Sequence, residues 1–495
     1  MSLVMRATLA RAGVFMASFA LVASACAASS TPSPAASSSA APSAPASSSA
    51  ASTAPSGSAA PSASSSAAAN ASASAAPLPS AGASEIAAAK QYASTLGANL
   101  GGSVTVLAQW SGSEQQQFLQ MVQPFIDATG VQIKYTGTRD EPTVLQTAIA
   151  AGGASLPDIA GIPGPAQMQQ FASSGTLQDL SSVIDMNTYQ SQAPASLVQL
   201  GTVSGKLVGV FLDVSAKGQI WYDPKVVGDL AGNPPANWTD FQNLITQDKS
   251  KAQAPWCFAV ESGAATGWPA TDVVETFMLK TYGPDVYNKW WQGKLKWTSS
   301  QVKTAFQDLG QMVSQSYGGA NRIVTTNFAN AGDPMFSTPP GCLFLHEASF
   351  ITGLGAFANQ TKITDYNFIP FPAIDPQYKN AVEGAGDLFG MFKNTPQSAA
   401  LMKYLVSSQA QALFVAPGEF LSANKGVANY PNPMNQRLAQ LLSGASSFVF
   451  DASDQMPTSM QNEFYKGLVN YIQNPNQLDS ILSHLDSVQS SAYSQ

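Results

Sequence analysis

Residues 103–137 read SVTVLAQWSGSEQQQFLQMVQPFIDATGVQIKYTG, and this stretch decides the fold class. The run from Val104 to Ala108 is short and apolar, which is typical of a buried strand. Ser111, followed three residues later by Glu114, resembles a capping box and predicts that a helix begins there. Apolar residues then recur at helical spacing as far as Gly130, a residue type that commonly ends helices.

The stretch ends in a second predicted strand, and strands and helices continue to alternate beyond it. Val131, Ile133 and Tyr135 alternate with polar residues and predict a second strand. A helix from Glu141 to Ala151, a strand in PDIAGI and a helix from Ala166 to Ser173 follow. The order βαβαβα predicts a parallel sheet with helices on both faces, that is, an α/β fold.

The second part of the chain is also α/β, but its strands and helices no longer alternate regularly. Residues 205–227, GKLVGVFLDVSAKGQIWYDPKVV, contain two extended segments in quick succession. Further strands are predicted in CFAVES, CLFLHEAS and NFIPFP. About 400 residues follow the N-terminal region, too many for one typical core, so we predict two lobes.

The N-terminus predicts export. Arg6 and Arg11 precede an uncharged run from Ala12 to Ala25, and a basic start before a short apolar core is typical of a signal peptide. Residues 22–26, VASAC, resemble the lipobox of bacterial lipoproteins, although Ala stands at position 23 where leucine is usual. We therefore expect a signal peptide over residues 1–25 and a lipid on Cys26. Ordinary cleavage near Ala25 is the alternative.

An Ala/Ser/Pro-rich segment follows the cysteine. No Asp, Glu, Lys or Arg occurs from residue 12 to residue 84. Such a composition buries too little apolar surface to offset the entropy of ordering, so residues 26–98 are predicted to be a disordered linker. Anchor and linker together predict a lipoprotein on the outer face of the cell membrane, with the folded part held away from the lipid.

Composition excludes several classes of function. The chain has 495 residues, is 11% charged and carries a formal net charge of −7, which argues against a nucleic-acid partner. After the signal peptide, no stretch is long and apolar enough to span a membrane. Two histidines make a histidine-built metal centre improbable, and we expect neither a metal nor a cofactor. Cys257 and Cys342 are predicted to form a disulfide, because paired cysteines outside the cell are more often bridged than metal-bound.

Four segments resemble the bacterial extracellular solute-binding proteins of family 1, which include maltose-, trehalose- and α-glucoside-binding proteins of ATP-driven importers. They are TVLAQWSGSEQQQFLQMVQPFIDATGVQIKY, LPDIAGIPGPAQMQQFASSGTLQDL, GKLVGVFLDVSAKGQIWYDPKVV and NPPANWTDFQNL. The segment APWCFAVESGAATGWPATDVVETFMLKTYGPDVYNKWW looks still closer to the α-glucoside branch. The resemblance implies a two-lobed, periplasmic-binding-protein-like fold with a hinge and an interlobe ligand cleft.

In this family the closed receptor, expected to be a monomer, delivers its sugar to the transmembrane permease subunits without chemistry on the ligand. Combined with the residue patterns, the resemblance predicts lobe boundaries as well as function. After the signal peptide and linker, the chain is predicted to form lobe I at 99–212 and lobe II at 213–362, to return to lobe I at 363–425, and to end in lobe II with C-terminal helices at 426–495.

Sugar binding requires acids, amides or arginine for the hydroxyls and aromatic rings for the C–H face, so such residues were sought after strands. Trp110 and Glu114 follow the first strand; packing in the lobe core is the alternative for Trp110. Arg139 and Asp140 follow the second strand and are either ligand contacts or a local surface ion pair.

The next candidates lie in the two extended segments of residues 205–227 and in the segments that follow them. The resemblance places Asp213 where an acid of the family contacts sugar hydroxyls, and Lys217 would contact the ligand or pair with Asp213. Trp268, in a Gly/Pro loop, is a candidate stacking platform. Asp272 is either a ligand contact or a first-turn partner of a helix dipole.

The remaining candidates come from the later strands and the C-terminal helices. His346 and Glu347 end a predicted strand where the family carries aromatic and polar ligand contacts. Asp387 closes another strand loop, and Phe464 is placed on the cleft from the C-terminal helices.

Other classes of function remain open at this stage. A secreted glycosidase would need two carboxylates across the cleft, which Asp213 and Glu347 would have to supply. A cell-wall adhesin and a receptor for a non-sugar solute are further alternatives.

Overall fold

The computed structural model describes residues 81–360, 365–427, 429–430 and 432–494. The predicted signal peptide, the lipidation site Cys26 and the linker as far as residue 80 lie outside the described residues. In the described part of the chain, no helix has both the length and the apolar composition that a membrane span requires.

Strands occur throughout the described chain, and several have only two residues. In chain order they are β1 Ser103–Ala108, β2 Gln132–Gly137, β3 Ile159–Ile162, β4 Thr202–Val203, β5 Lys206–Leu207, β6 Val210–Phe211, β7 Asp213–Ala216, β8 Gln219–Tyr222, β9 Ala254–Cys257, β10 Cys342–Glu347, β11 Asn367–Pro370, β12 Ala381–Ala385, β13 Leu388–Met391, β14 Leu421–Ser422 and β15 Ser447–Phe450.

Helices lie between the strands and form the C-terminus of the described chain. They are α1 Ala83–Gly97, α2 Ser113–Thr129, α3 Glu141–Ala150, α4 Pro165–Ser173, α5 Met186–Gln192, α6 Ala195–Leu200, α7 Pro224–Val227, α8 Trp238–Asp248, α9 Trp268–Trp291, α10 Ser300–Ser314, α11 Gly319–Thr325, α12 Pro396–Leu405, α13 Ser408–Val415, α14 Pro433–Ser443, α15 Ala452–Gln455, α16 Thr458–Gln473 and α17 Leu478–Ala492.

The first lobe is built on a sheet with strand order β2-β1-β3-β13-β6. β1 pairs in parallel with β2 and β3, as the βαβαβα pattern predicted, whereas β13 is antiparallel to β3 and β6. α2 buries Phe118, Met121, Val122 and Phe125 against this sheet. Gly130 ends the helix in the left-handed conformation, as expected.

A second sheet, with order β11-β8-β10-β9, forms the core of the second lobe, and a third has the order β14-β7-β12-β15. The chain leaves the first sheet after β6 and enters the third at β7; it returns from β12 to β13. The molecule is thus a two-lobed α/β protein whose chain crosses between lobes more than once. The turn between β12 and β13 passes close to β7: a Cβ on Gly386 would lie 2.3 Å from the backbone oxygen of Asp213.

Three expectations are corrected by the structure. The predicted linker is not disordered up to residue 98, because α1 occupies Ala83–Gly97 and buries Ala89 and Ala93 against the first lobe. The predicted return to lobe I does not begin at residue 363, because β11 pairs with β8 in the second sheet.

The third correction concerns the start of α2, which has no capping box. Its N-cap is Gly112, without a side-chain cap, and the Ser113 hydroxyl instead donates to the Gly353 carbonyl at 2.8 Å.

Cys257 and Cys342 form the predicted disulfide in the second lobe. Both residues are buried in an apolar cluster that contains Trp221 and Phe368. The bridge joins the neighbouring strands β9 and β10, whose cysteines are 85 residues apart in the sequence.

Candidate ligand-binding site

A cavity of about 340 Å³ lies where the two lobes meet. Its walls come from the loop after β1, from β7, from the turn between β12 and β13, from the start of α9, and from α15 and α16. Eight of the twelve predicted residues line it: Trp110, Glu114, Arg139, Asp213, Lys217, Trp268, Asp272 and Asp387. Residues from distant parts of the sequence are therefore brought together around one space.

Asp387 organises the end of the cavity nearest β1. Its carboxylate accepts hydrogen bonds from the Gln109 amide at 2.6 Å and from the Trp110 indole N–H at 2.8 Å. Trp110 is buried among aromatic rings of the first lobe, so this bond fixes the direction in which its indole points. Burial raises the pKa of Asp387, and the bonds from Gln109 and Trp110 oppose that change.

Asp213 begins β7 and lies beside Asp387. One of its carboxylate oxygens accepts a hydrogen bond from the Asp387 backbone N–H at 3.1 Å. Burial, followed by the nearby Asp387 carboxylate, raises the pKa of Asp213 well above its ordinary value. The pair therefore places two buried acids side by side in the cavity wall.

Glu114 and Arg139 form an ion pair on the first-lobe wall. The Arg139 guanidinium also lies 5.0 Å from the centre of the Phe328 ring, across the cavity. Arg139 therefore pairs with Glu114 and not with its neighbour Asp140. The Asp140 carboxylate instead accepts a hydrogen bond from the Ala264 backbone N–H at 3.2 Å and does not line the cavity.

Lys217 lies at the second-lobe end of the cavity and pairs with acids other than Asp213. Its ammonium is 2.8 Å and 3.0 Å from the two Asp272 oxygens and 3.1 Å from an Asp451 oxygen. Burial alone would lower the pKa of Lys217, but Asp272 and Asp451 outweigh that effect and raise it. Burial raises the pKa of Asp272 to about 7, against the lowering effect of Lys217.

Trp268 supplies an aromatic face. It is the first residue of α9, and its ring contacts Phe328 at 4.9 Å and Phe350 at 5.8 Å, both edge-on. The Lys217 ammonium lies 4.8 Å from the centre of the Trp268 ring. An aromatic platform with an ammonium and several carboxylates beside it suits a ligand with both C–H faces and hydroxyl groups.

Besides Asp140, three predicted residues lie away from the cavity. His346 and Glu347 belong to β10, whose residues are all buried; His346 contacts the Thr276 hydroxyl at 3.1 Å, and Glu347 accepts from the Ala348 N–H at 2.9 Å. Burial lowers the pKa of His346 to about 3 and raises that of Glu347 to about 8.

Phe464, the third of these residues, packs against Trp297 and Trp290, with ring centres 4.7 Å and 5.6 Å apart. It is fully buried in the core of the second lobe.

Residues of α15 and α16 were missed by the sequence analysis. Asp451, Ser453, Asp454 and Tyr465 line the cavity, although none follows a predicted strand of the first lobe. Phe464 was the predicted contact on α16, but neighbouring positions on a helix point about 100° apart, so Phe464 enters the core while Tyr465 reaches the cavity.

Residues 111–412 match the bacterial extracellular solute-binding protein family, so the chain belongs to that family. Members are receptors of ABC importers and not enzymes. A glycosidase built on Asp213 and Glu347 is wrong, because the chain is a receptor and because Glu347 does not line the cavity.

Relatives of known description cover most of the chain. The osmoprotective compounds-binding protein GgtB of Synechocystis sp. is 31% identical over 74% of this chain and 88% of its own length. The alpha-glucosides-binding periplasmic protein AglE of Rhizobium meliloti is 30% identical over 75% of this chain and 84% of its own. The solute receptor AcbH, described as preferring β-D-galactopyranose, has the same fold, with a TM-score of 0.68 and 18% identity over 79% of this chain and 99% of its own.

Proposed function

We propose that this receptor captures a sugar, an α-glucoside or a short oligosaccharide, in the cavity and delivers it to the permease of an ABC importer. The observation that carries the proposal is the Trp268 face beside Asp213, Asp272 and Lys217 in one cavity. The description of AglE as an α-glucoside receptor supports this ligand class. The receptor would act as a monomer held on the membrane through a lipid on Cys26.

Capture works through closure of the two lobes. A ligand stabilises the closed state only through contacts that it makes better there than in the open state. Arg139 of the first lobe and Phe328 of the second face the same space, so a sugar between them would contact both walls at once.

The test is calorimetric titration of the full chain with glucosides, galactosides and osmoprotective solutes. We expect selective binding of an α-glucoside, with the sugar recovered intact. Trp268→Ala should weaken binding about two- to twelvefold, since an aromatic contact contributes about 0.5–1.5 kcal/mol. Trp291→Ala is the matched control, because Trp291 lies on the second-lobe core side and does not line the cavity.

Two results would count against the proposal. Binding of an osmoprotective solute with no sugar binding would replace the sugar assignment. Equal losses in Trp268→Ala and Trp291→Ala would show that the cavity is not the site. The anchor is tested separately: Cys26→Ala should move the protein from the membrane fraction to the soluble fraction.

A further inference from the structure

A wall of charged side chains separates the ligand cavity from a second cavity of about 510 Å³ in the second lobe. Asp272 and Asp451 line the ligand cavity, Glu383 lines the second, and Lys217 lines both. The wall therefore borders two cavities, and Glu383 lines the one that is not the proposed sugar site.

Three carboxylates meet inside this wall. Asp272, Glu383 and Asp451 are each 2% exposed, and one oxygen from each lies within 4.8 Å of the others. Their residues come from α9, from β12 and from the N-cap of α15, so three separate elements hold the oxygens in place.

Lys217 neutralises only part of this charge. Its ammonium bonds both oxygens of Asp272 and one of Asp451. Both carboxylate oxygens of Glu383 are buried without a hydrogen-bond partner among the described residues. The three carboxylates and the Lys217 ammonium carry a net charge of −2, and the Lys280 ammonium and the Glu275 carboxylate, which also act on Glu383, cancel each other in that sum. An uncompensated buried carboxylate is costly.

We propose that Asp272, Glu383 and Asp451 form a binding site for a hard divalent cation, with Glu383 as the main ligand. A charge of +2 would balance the wall with Lys217 left in place. The donors are all carboxylate oxygens, which Ca²⁺ and Mg²⁺ prefer. Ca²⁺ fits better, because it accepts irregular oxygen cages and carboxylates that bind through both oxygens.

A proton on Glu383 is the competing explanation. Burial, followed by the Glu275 carboxylate, raises the pKa of Glu383 well above its ordinary value. A proton and a divalent cation would each remove the cost of the buried charge, but only the cation gives saturable binding of a metal.

The test is equilibrium dialysis of the full chain, stripped with a chelator and free of sugar, against Ca²⁺, with bound metal measured by mass spectrometry. We expect about one Ca²⁺ per chain, half-saturated at or below about 1 mM, the weak end of extracellular calcium sites. The midpoint of thermal unfolding should rise with Ca²⁺ and fall back with chelator. Absence of bound Ca²⁺ at that concentration would overturn the proposal, whatever the behaviour of any variant.

Glu383→Gln should weaken Ca²⁺ binding at least about tenfold, as loss of a principal ligand does. Glu141→Gln is the matched control, because Glu141 is also fully buried and neither of its oxygens has a hydrogen-bond partner among the residues described, but it lies in the first lobe outside the wall. Unchanged binding in a folded Glu383→Gln protein, or equal loss in both variants, would reject the site. A Glu383→Gln protein that is more stable and a wild type that binds no metal would establish the proton instead.

Discussion

Several acids of this receptor are buried, and Glu347 is one of them. Glu347 is 2% exposed in β10, with one oxygen bonded to the Ala348 N–H and the other without a partner among the described residues. A carboxylate held in this way is stable only if it keeps a proton, because burial disfavours the charged form.

Glu347 therefore makes stability depend on pH. Its folded pKa is raised to about 8, whereas a glutamate in an unfolded chain titrates near about 4.3. Between these values the folded chain binds the extra proton, so stability falls as pH rises, by up to about 1.4 kcal/mol per pH unit from this group. Glu347→Gln should remove that contribution and leave a variant more stable than wild type at about pH 8.

The measurement is urea unfolding of both proteins across that range. The two stability curves should diverge as pH rises and approach each other near about pH 4.3. Parallel curves would show that Glu347 is ionised in the folded chain. Sugar affinity should stay unchanged, because Glu347 does not line the cavity.

Helix α1 lies in a segment that was predicted to be disordered linker. Its Ala89 and Ala93 are fully buried against the first lobe, and the Tyr92 hydroxyl donates to the Lys403 carbonyl at 3.4 Å. Two alanines on one face allow the helix to lie close to α2 and α13, so α1 is part of the lobe.

Close packing of α1 predicts sensitivity to added volume. Ala89→Leu should lower the free energy of unfolding by about 1–3 kcal/mol, because extra methyl groups force the packed helices apart. Ala88→Leu, one position away on the exposed face, should change it by no more than about 0.5 kcal/mol. Denaturant unfolding of both variants measures the difference, and equal effects would mean that α1 does not pack as described.

Some strands of the first sheet could be predicted from short sequence patterns, and others could not. The parallel β1, β2 and β3 follow from apolar runs separated by a helical pattern, a signal contained in short windows. The segment EGAGDLFG divides at Gly386 into β12 and β13, which join different sheets. Local propensity is the same on both sides of that glycine, so only the packing of the lobes separates them.

At the scale of the whole molecule, the Cys257–Cys342 disulfide stabilises the second lobe. Replacing both Cys257 and Cys342 with alanine should cost about 4–5 kcal/mol for a closed segment with a separation of 85 residues, if loop entropy dominates. Wild-type protein under reducing conditions should show the same loss in urea unfolding. A loss below about 1 kcal/mol in both cases would mean that the bridge adds little to the buried cluster around it.

Closure of the molecule depends on contacts between the lobes. The Asp140 carboxylate accepts from the Ala264 N–H and connects the loop after β2 to the segment before α9. Asp140→Ala should speed sugar release about two- to fivefold, because an exposed hydrogen bond contributes about 0.5–1 kcal/mol. Asp140→Asn keeps an acceptor oxygen and should release sugar nearly as slowly as wild type in stopped-flow measurements. Equal effects of both variants would show that the charge, and not the hydrogen bond, matters.

The sequence by itself determined the α/β class, the family, the paired cysteines and cavity residues that follow strands, such as Trp110. These depend on patterns that are contiguous along the chain. Tertiary structure alone decided that Lys217 pairs with Asp272 and Asp451, that Tyr465 and not Phe464 reaches the cavity, and that α1 joins the first lobe. The physical reason is that a side chain's partner is set by the packing of distant elements. Residues 217 and 451 become neighbours because β7 and β15, which they follow, lie on either side of β12 in the third sheet.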